Sequence, residues 1–177
     1  MRTAELNMTI FALASGSGKA GIAVFRVSGP NAVSAYKALS SKPAPKPRQV
    51  TRTKLFHPKS RELLDDGLAI YFARPASFTG EDIIELHVHG GLSVVAGLSE
   101  ALNSIDGVRL AEAGEFTRRA FDNNKLDLTA AEGLADLINA ETAAQRRQAQ
   151  RQLRGELGLI YNDWRERLIN AIALFEA

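Results

Sequence analysis

Residues 77–91 read SFTGEDIIELHVHGG, and the fold turns on this stretch. It opens as a turn: Ser77, Phe78 and Thr79 run into Gly80 and two acids. A brief apolar run bounded by glycine then predicts a buried strand over residues 83–88. Side chains alternate along a strand, so Glu85 and His87 point to one face and His89 can join them. A carboxylate buried on a strand is costly unless it gains a partner. The partner of Glu85 is therefore the central question. Gly90-Gly91 follows and opens a predicted helix over residues 92–104, with Leu92, Val95, Leu98 and Leu102 as its apolar positions.

Upstream, residues 9–14 and 22–28 predict two strands joined by a glycine-rich loop, a hairpin pattern. Arg26 interrupts the second strand and is a candidate half-buried cation. Residues 31–40 read as a helix, Ser40 to Arg48 as a proline-rich loop, 49–57 as a strand, 63–67 as a turn and 68–72 as a strand. Downstream, residues 108–111 read as a strand. Residues 115–122 read as a short helix whose Glu115 complements the helix dipole. Asn123-Asn124-Lys125 is its exit. From Thr129 the texture turns helical. Two capping boxes, Thr129 with Glu132 and Thr142 with Gln145, predict helix starts. The second predicts one long helix from Thr142 to the end, striped by Leu153, Leu157, Ile160, Trp164, Leu168, Ile172 and Phe175. Gly155 and Gly158 weaken it. The stripe still runs at Ala177, as expected of the front part of something longer or of a chain that oligomerises through it. The expected organisation is an α+β domain over residues 1–120, then the start of a helical domain over 121–177.

The chain has 177 residues, 45% hydrophobic and 24% charged, an ordinary composition for a soluble globular protein with a real core. No apolar run approaches a membrane span, and the N-terminus lacks a signal-peptide pattern, so a cytoplasmic location is the default expectation. The absence of cysteine excludes disulfides and thiolate metal sites. Net charge is only +2, but the basic residues cluster. One group runs from Lys42 to Lys59 and includes Lys46, Arg48, Arg52 and Lys54. The other is Arg146, Arg147, Arg151 and Arg154. Each reads either as a solvated face or as an RNA-facing patch.

Several motifs carry less than they first offer. Gly16-Ser17-Gly18-Lys19 lacks the earlier glycine of a phosphate loop, where Leu13 stands, and the hydroxyl after the lysine, where Ala20 stands. Asn124-Lys125-Leu126-Asp127 matches the guanine-reading tetrad of GTPases, but no phosphate loop precedes it. Glu85, His87 and His89 form a conceivable metal triad, though hydrogen-bonded scaffolding is the simpler role. No nucleophile with a matched base stands out, so no catalytic residue is assigned. What remains is Arg26, Glu85 and Lys125, two cations and one acid. A ligand with a flat donor edge and an anionic tail suits them, because a carboxylate accepts two parallel hydrogen bonds and Arg or Lys holds carboxylates. Pterins and folates are one class of that shape among several.

Three blocks carry a family resemblance: TIFALASGSGKAGIAVFRVSGP at 9–30, the stretch at 77–91, and AGEFTRRAFDNNKLDLTAAEGLADLINAET at 113–142. Together they resemble the N-terminal part of the tRNA modification GTPases MnmE, also called TrmE, and the likeness covers the chain from about Thr9 to Ala177. The resemblance implies a folate-binding domain similar to the glycine-cleavage T protein, which dimerises, followed by the long helices of a partial helical bundle. It implies 5-formyltetrahydrofolate or methylene-tetrahydrofolate as ligand, with Arg26, Glu85 and Lys125 as its contacts and no metal in this part. It further implies an inserted GTPase domain using GTP, Mg2+ and K+, and an FAD-dependent MnmG-type partner. With that partner the family adds an aminomethyl-type group to C5 of the wobble uridine of tRNAs. Lacking the GTPase domain, the chain alone is expected to hydrolyse no GTP and modify no tRNA. The family usually carries Arg-Gly-Gly where Lys19-Ala20 stand, Gly at Val88 and Asn-Gly-Lys at residues 123–125. Val88 is expected to add bulk near the site. Two other classes compete: an RNA-binding or assembly module using the Arg146–Arg154 stripe, and an aminomethyltransferase of the T-protein type, against which the helical tail argues.

Overall fold

The computed structural model describes residues 8–176. Its compact units divide between Arg119 and Ala120. The first is built on a six-stranded sheet in the order β3-β4-β5-β2-β1-β6. The strands are β1 (Thr9–Leu13), β2 (Ala20–Ser28), β3 (Val50–Phe56), β4 (Leu63–Phe72), β5 (Ile83–Gly90) and β6 (Val108–Leu110). Neighbours are antiparallel except β1 and β6, which run parallel. Helices α1 (Ala32–Ser40) and α2 (Leu92–Asn103) join Phe25, Val27, Ile84, Leu86 and Val88 of the central strands in one core through Tyr36, Leu39, Leu98 and Leu102. This is the expected α+β class.

Strand alternation explains which residues face the helices. Phe25 and Val27 are buried there, so Val24 and Arg26 point the other way. On β5, Ile84, Leu86 and Val88 are buried and Glu85, His87 and His89 are less so. Val88 is 3% exposed and belongs to the core. It adds no bulk to the Glu85 face, contrary to expectation, because residues one apart on a strand point to opposite faces.

The turn expected at residues 63–67 is strand: β4 begins at Leu63 and pairs with β3 through Gly67. The hairpin turn lies earlier, where His57 N–H donates to the Glu62 carbonyl and His57 Nδ1 accepts from the backbone of Lys59 and Ser60. The turn carries Pro58, whereas Gly67 stands inside β4 close against the His87 carbonyl; reading that glycine as a turn residue is what puts the turn too late.

Helix α3 (Glu115–Asp122) carries the division between the units. Asn124, in the left-handed region at φ 55°, ends that segment, as asparagine can. The second unit continues as α4 (Leu128–Asn139), α5 (Ala143–Leu153) and α6 (Glu156–Glu176). Two expectations change here. The box at Thr129 is absent, because Asp127 is the cap and its carboxylate accepts from Ala130 N–H. The box at Thr142 and Gln145 is present in both halves. The single long helix is broken at Gly155, whose φ of +81° is incompatible with a continuous right-handed helix. Beyond the break, α6 leaves Trp164, Leu168, Ile172 and Phe175 exposed. Among the described residues, no helix is long and apolar enough to cross a membrane.

Candidate functional site

The site is a row across the sheet face turned away from α1 and α2. Antiparallel pairing sets Ala12 opposite Arg26, Arg26 opposite Glu85, and Glu85 opposite Ile70. Directly opposed side chains on one face are within reach of each other. Arg26 donates from Nε at 3.0 Å and Nη2 at 2.7 Å, and both bonds end on Glu85 Oε1. The internal partner of Glu85 is thus Arg26. Oε2 is left to His87, whose Nε2 lies 3.6 Å away. That Nε2 is buried and makes no hydrogen bond. Arg26 is 29% exposed and Glu85 16%, so the pair is screened but reachable.

Two rings frame the guanidinium. Phe78 lies 5.4 Å and Phe116 5.8 Å from it, centroid to carbon, within cation–π range. Each ring is held by a charged neighbour. The turn bearing Phe78 is fixed by Glu81, whose Oε2 accepts from Ser28 Oγ at 2.7 Å, and by Asp82, which accepts from Tyr71 OH and Arg74 N–H. Phe116 follows Glu115, which is fully buried. Glu115 accepts from Arg109 at 2.6 and 2.8 Å, from Arg119 at 3.0 Å and from Glu112 N–H at 2.9 Å. Burial pushes the Glu115 carboxyl up, but the Arg109, Glu112 N–H and Arg119 hydrogen bonds outweigh it and leave its pKa at about 2. Arg119 also donates to Glu81 at 3.0 Å and to the Met8 carbonyl at 2.8 Å. Glu115 stands in the first turn of α3, as expected, and is also the hub of a buried ionic network. The signal in the sequence is Arg109 upstream with Arg118-Arg119 one helical turn downstream of one acid.

Of the three predicted contacts, Arg26 and Glu85 come together. Lys125 belongs to the other unit, where its side chain is exposed and its N–H donates to the Ala120 carbonyl at 2.7 Å. Phe78, Phe116, Glu81 and Arg119 escape a reading of the residues alone, since contacts between distant segments leave no periodic trace.

The motifs set aside have structural explanations. The loop holding Gly16 to Lys19 leads into β2 and not into a helix, so it does not open the helix N-terminus of a phosphate loop. Asp127 Oδ1, the tetrad carboxylate, is taken by Ala130 N–H and Thr129 Oγ1. His89 is scaffolding: its Nδ1 lies 2.8 Å from Asp65 Oδ1 and its N–H donates to Oδ2. Among the described residues, no group of three acids or histidines is placed to hold a metal.

This is the class in which an α+β domain leads directly into a helical one. Residues 9–125 match the family described as "GTP-binding protein TrmE N-terminus", and residues 128–177 match "MnmE helical domain". The chain belongs to the MnmE (TrmE) family. It is 55% identical over 169 residues to the tRNA modification GTPase MnmE of Parvibaculum lavamentivorans, covering 96% of this chain and 39% of that protein. The MnmE of Rickettsia bellii matches at 55%, with 96% and 38% covered. A mitochondrial 5-taurinomethyluridine-tRNA synthase subunit of Danio rerio matches at 56%, with 96% and 34% covered. The chain thus spans little more than a third of the length of these relatives.

Proposed function

We propose that this chain is the N-terminal part of a cytoplasmic tRNA-modifying GTPase. Residues 1–120 are its tetrahydrofolate-binding and dimerisation domain, and residues 121–177 begin its helical domain. With an FAD-dependent MnmG-type partner, the whole protein adds an aminomethyl-type group to C5 of the wobble uridine of tRNA. GTP hydrolysis, with Mg2+ and K+, belongs to the length of the relatives that this chain does not span. The tRNA modification and GTPase names of the relatives support this reading.

The ligand proposed here is 5-formyltetrahydrofolate or methylene-tetrahydrofolate, held by Arg26, Glu85 and Lys125. One observation carries it: Glu85 offers Oε2, unpaired by Arg26, beside the orphaned buried Nε2 of His87. A buried polar atom left without a partner costs about 1–3 kcal/mol, and a ligand polar group removes that cost. Each carboxylate oxygen accepts two bonds, and both on Oε1 are taken. A two-donor pterin edge spanning both oxygens therefore displaces one guanidinium bond and frees that Arg26 N–H for an acceptor on the ligand. The folate, when bound, supplies a one-carbon unit, and the residues of this chain orient it.

Calorimetric titration with 5-formyltetrahydrofolate tests the reading. Glu85→Gln and Arg26→Gln should each weaken binding about tenfold or more, as loss of a charged hydrogen bond does. No binding to the wild type, or unchanged binding by Glu85→Gln, overturns it.

A further inference from the structure

The two basic clusters differ in what their charges already do. In the Lys42–Lys59 group, Arg52 is paired with Asp66 at 2.8 Å and Arg48 donates to the Ala76 carbonyl at 2.6 Å. Just beyond it, Arg61 donates to Ser41 at 2.6 Å and lies over Phe56. These arginines are committed to the fold. On α5, Arg146, Arg147, Arg151 and Arg154 make no side-chain hydrogen bond, ion pair or ring contact among the described residues, and all four are exposed.

Packing fixes which way they point. Gly133 of α4 lies so close to α5 that an added Cβ would sit 2.8 Å from Leu153 N and 3.2 Å from the Ala149 carbonyl. Ala149 is 1% exposed and faces α4. At about 100° per residue, Arg147, Arg151 and Arg154 fall within roughly 60° of one another and roughly opposite Ala149. They line a shallow hollow of about 360 Å³ together with Gln150. The stripe covers about 10 Å along the helix.

We propose that this α5 face binds the phosphate backbone of RNA. The inference rests on the tRNA reading above. Between Glu141 and Glu156 the chain has four arginines and no acid, with Gln148, Gln150 and Gln152 interleaved. Planar guanidinium forks match phosphate oxygens bidentately, and the glutamines add neutral donors and acceptors. A protein-binding face needs an apolar core, and this face shows none, whereas nucleic-acid interfaces are polar and strongly positive.

The test is fluorescence anisotropy of a labelled tRNA transcript titrated with the 177-residue protein from about 50 to about 200 mM salt. The triple variant R147Q/R151Q/R154Q keeps good helix formers on an exposed face. It should weaken tRNA binding at every salt concentration and flatten the log–log salt slope by about 2 to 3, roughly one per phosphate contact. The control K42Q/K54Q should leave both unchanged, and circular dichroism should show equal helix content in all three proteins. An unchanged slope in the triple variant, an equal loss in the control, or no tRNA binding by the wild type overturns the proposal. So does arginine-dependent binding of poly-L-glutamate without tRNA binding, which would indicate an acidic protein partner. Folate titration of the same variants separates the two readings. Failure to bind folate with arginine-dependent tRNA binding leaves this surface standing. Intact folate binding with an unchanged salt slope removes it alone.

Discussion

Arg119 and Glu81 are joined at 3.0 Å, and the same guanidinium holds Glu115, so one buried cation ties the turn carrying Phe78 to the helix carrying Phe116. Both rings flank Arg26 as a result. The ionic network is thus the support on which the Arg26–Glu85 site is framed.

Glu115 should govern acid stability. Its carboxyl has a lower pKa folded, about 2, than unfolded, about 4.5. A depressed folded pKa gives stability that is complete above the unfolded value and is lost as pH falls through the folded one. The loss is expected between about pH 5 and pH 2 and amounts to about 3 kcal/mol. Glu115→Gln should lower stability by about 3 kcal/mol at neutral pH, because it removes the buried carboxylate that both Arg109 and Arg119 hold. Urea unfolding of both proteins across that pH range measures it. A variant that keeps the wild-type acid profile would count against the network.

His87 should trade stability for binding. Its buried Nε2 is unsatisfied, and its cross-strand neighbours are Val24 and Leu68. His87→Leu removes the orphan atom, so the unliganded protein should gain about 1 kcal/mol. Binding of 5-formyltetrahydrofolate should weaken about tenfold, since the variant offers the ligand no polar partner there. Thermal unfolding and calorimetry on one preparation check both signs. A variant with unchanged affinity would show that His87 is only scaffolding.

These two sites mark how far the residues alone can be followed. The period-two placement of Glu85 and His87 is legible because strand alternation is a local rule. The pairing of Arg26 with Glu85 is not, because register joins residues far apart in the chain. Val88 misleads for the opposite reason: its neighbours in sequence lie at the site while its side chain faces the core. Glu115 reads only as a helix start because its partners, Arg109 and Arg119, come from both sides of it and close around it only in the fold. Helix breaks are partly visible. Gly155 marks a weakness in the sequence, but a glycine's φ is set by the packing on either side and cannot be read from its name.

Two glycines of the second unit should respond to alanine in different ways. Gly155 has φ +81° with open space where a Cβ would project, so Gly155→Ala is strained by backbone conformation alone, at about 1 kcal/mol. Gly133 is in a helix, where alanine is intrinsically favoured by about 1 kcal/mol. Its close approach to the α5 backbone should outweigh that, and Gly133→Ala should destabilise by about 1–3 kcal/mol. Because Gly133 sets the seat of α5, its variant should also weaken tRNA binding through the arginine stripe, while Gly155→Ala should leave it intact. Denaturation midpoints and the anisotropy titration together separate the two. A stabilised Gly133→Ala would refute the close packing of α4 on α5.

The cap of α4 offers the sharpest contrast between pattern and geometry. Thr129 with Glu132 fits a capping box, yet the chain enters the helix at Leu128 and uses Asp127. Asp127 Oδ1 accepts from Ala130 N–H at 2.7 Å and from Thr129 Oγ1 at 2.8 Å. An aspartate cap outcompetes a threonine two residues later because a charged oxygen satisfies the orphan N–H more strongly and complements the helix dipole. The hydrogen bonds from Ala130 and Thr129 hold the Asp127 carboxyl below its usual range, so its capping contribution persists above about pH 4 and fades as pH falls through the lowered folded value. Asp127→Ala should cost about 1 kcal/mol and Asp127→Asn much less. Thr129→Val should cost only a few tenths, since Thr129 is inside the first turn and supports the cap without being one. Thermal unfolding followed by circular dichroism ranks the three. If Thr129→Val costs more than Asp127→Ala, the helix starts at the threonine after all.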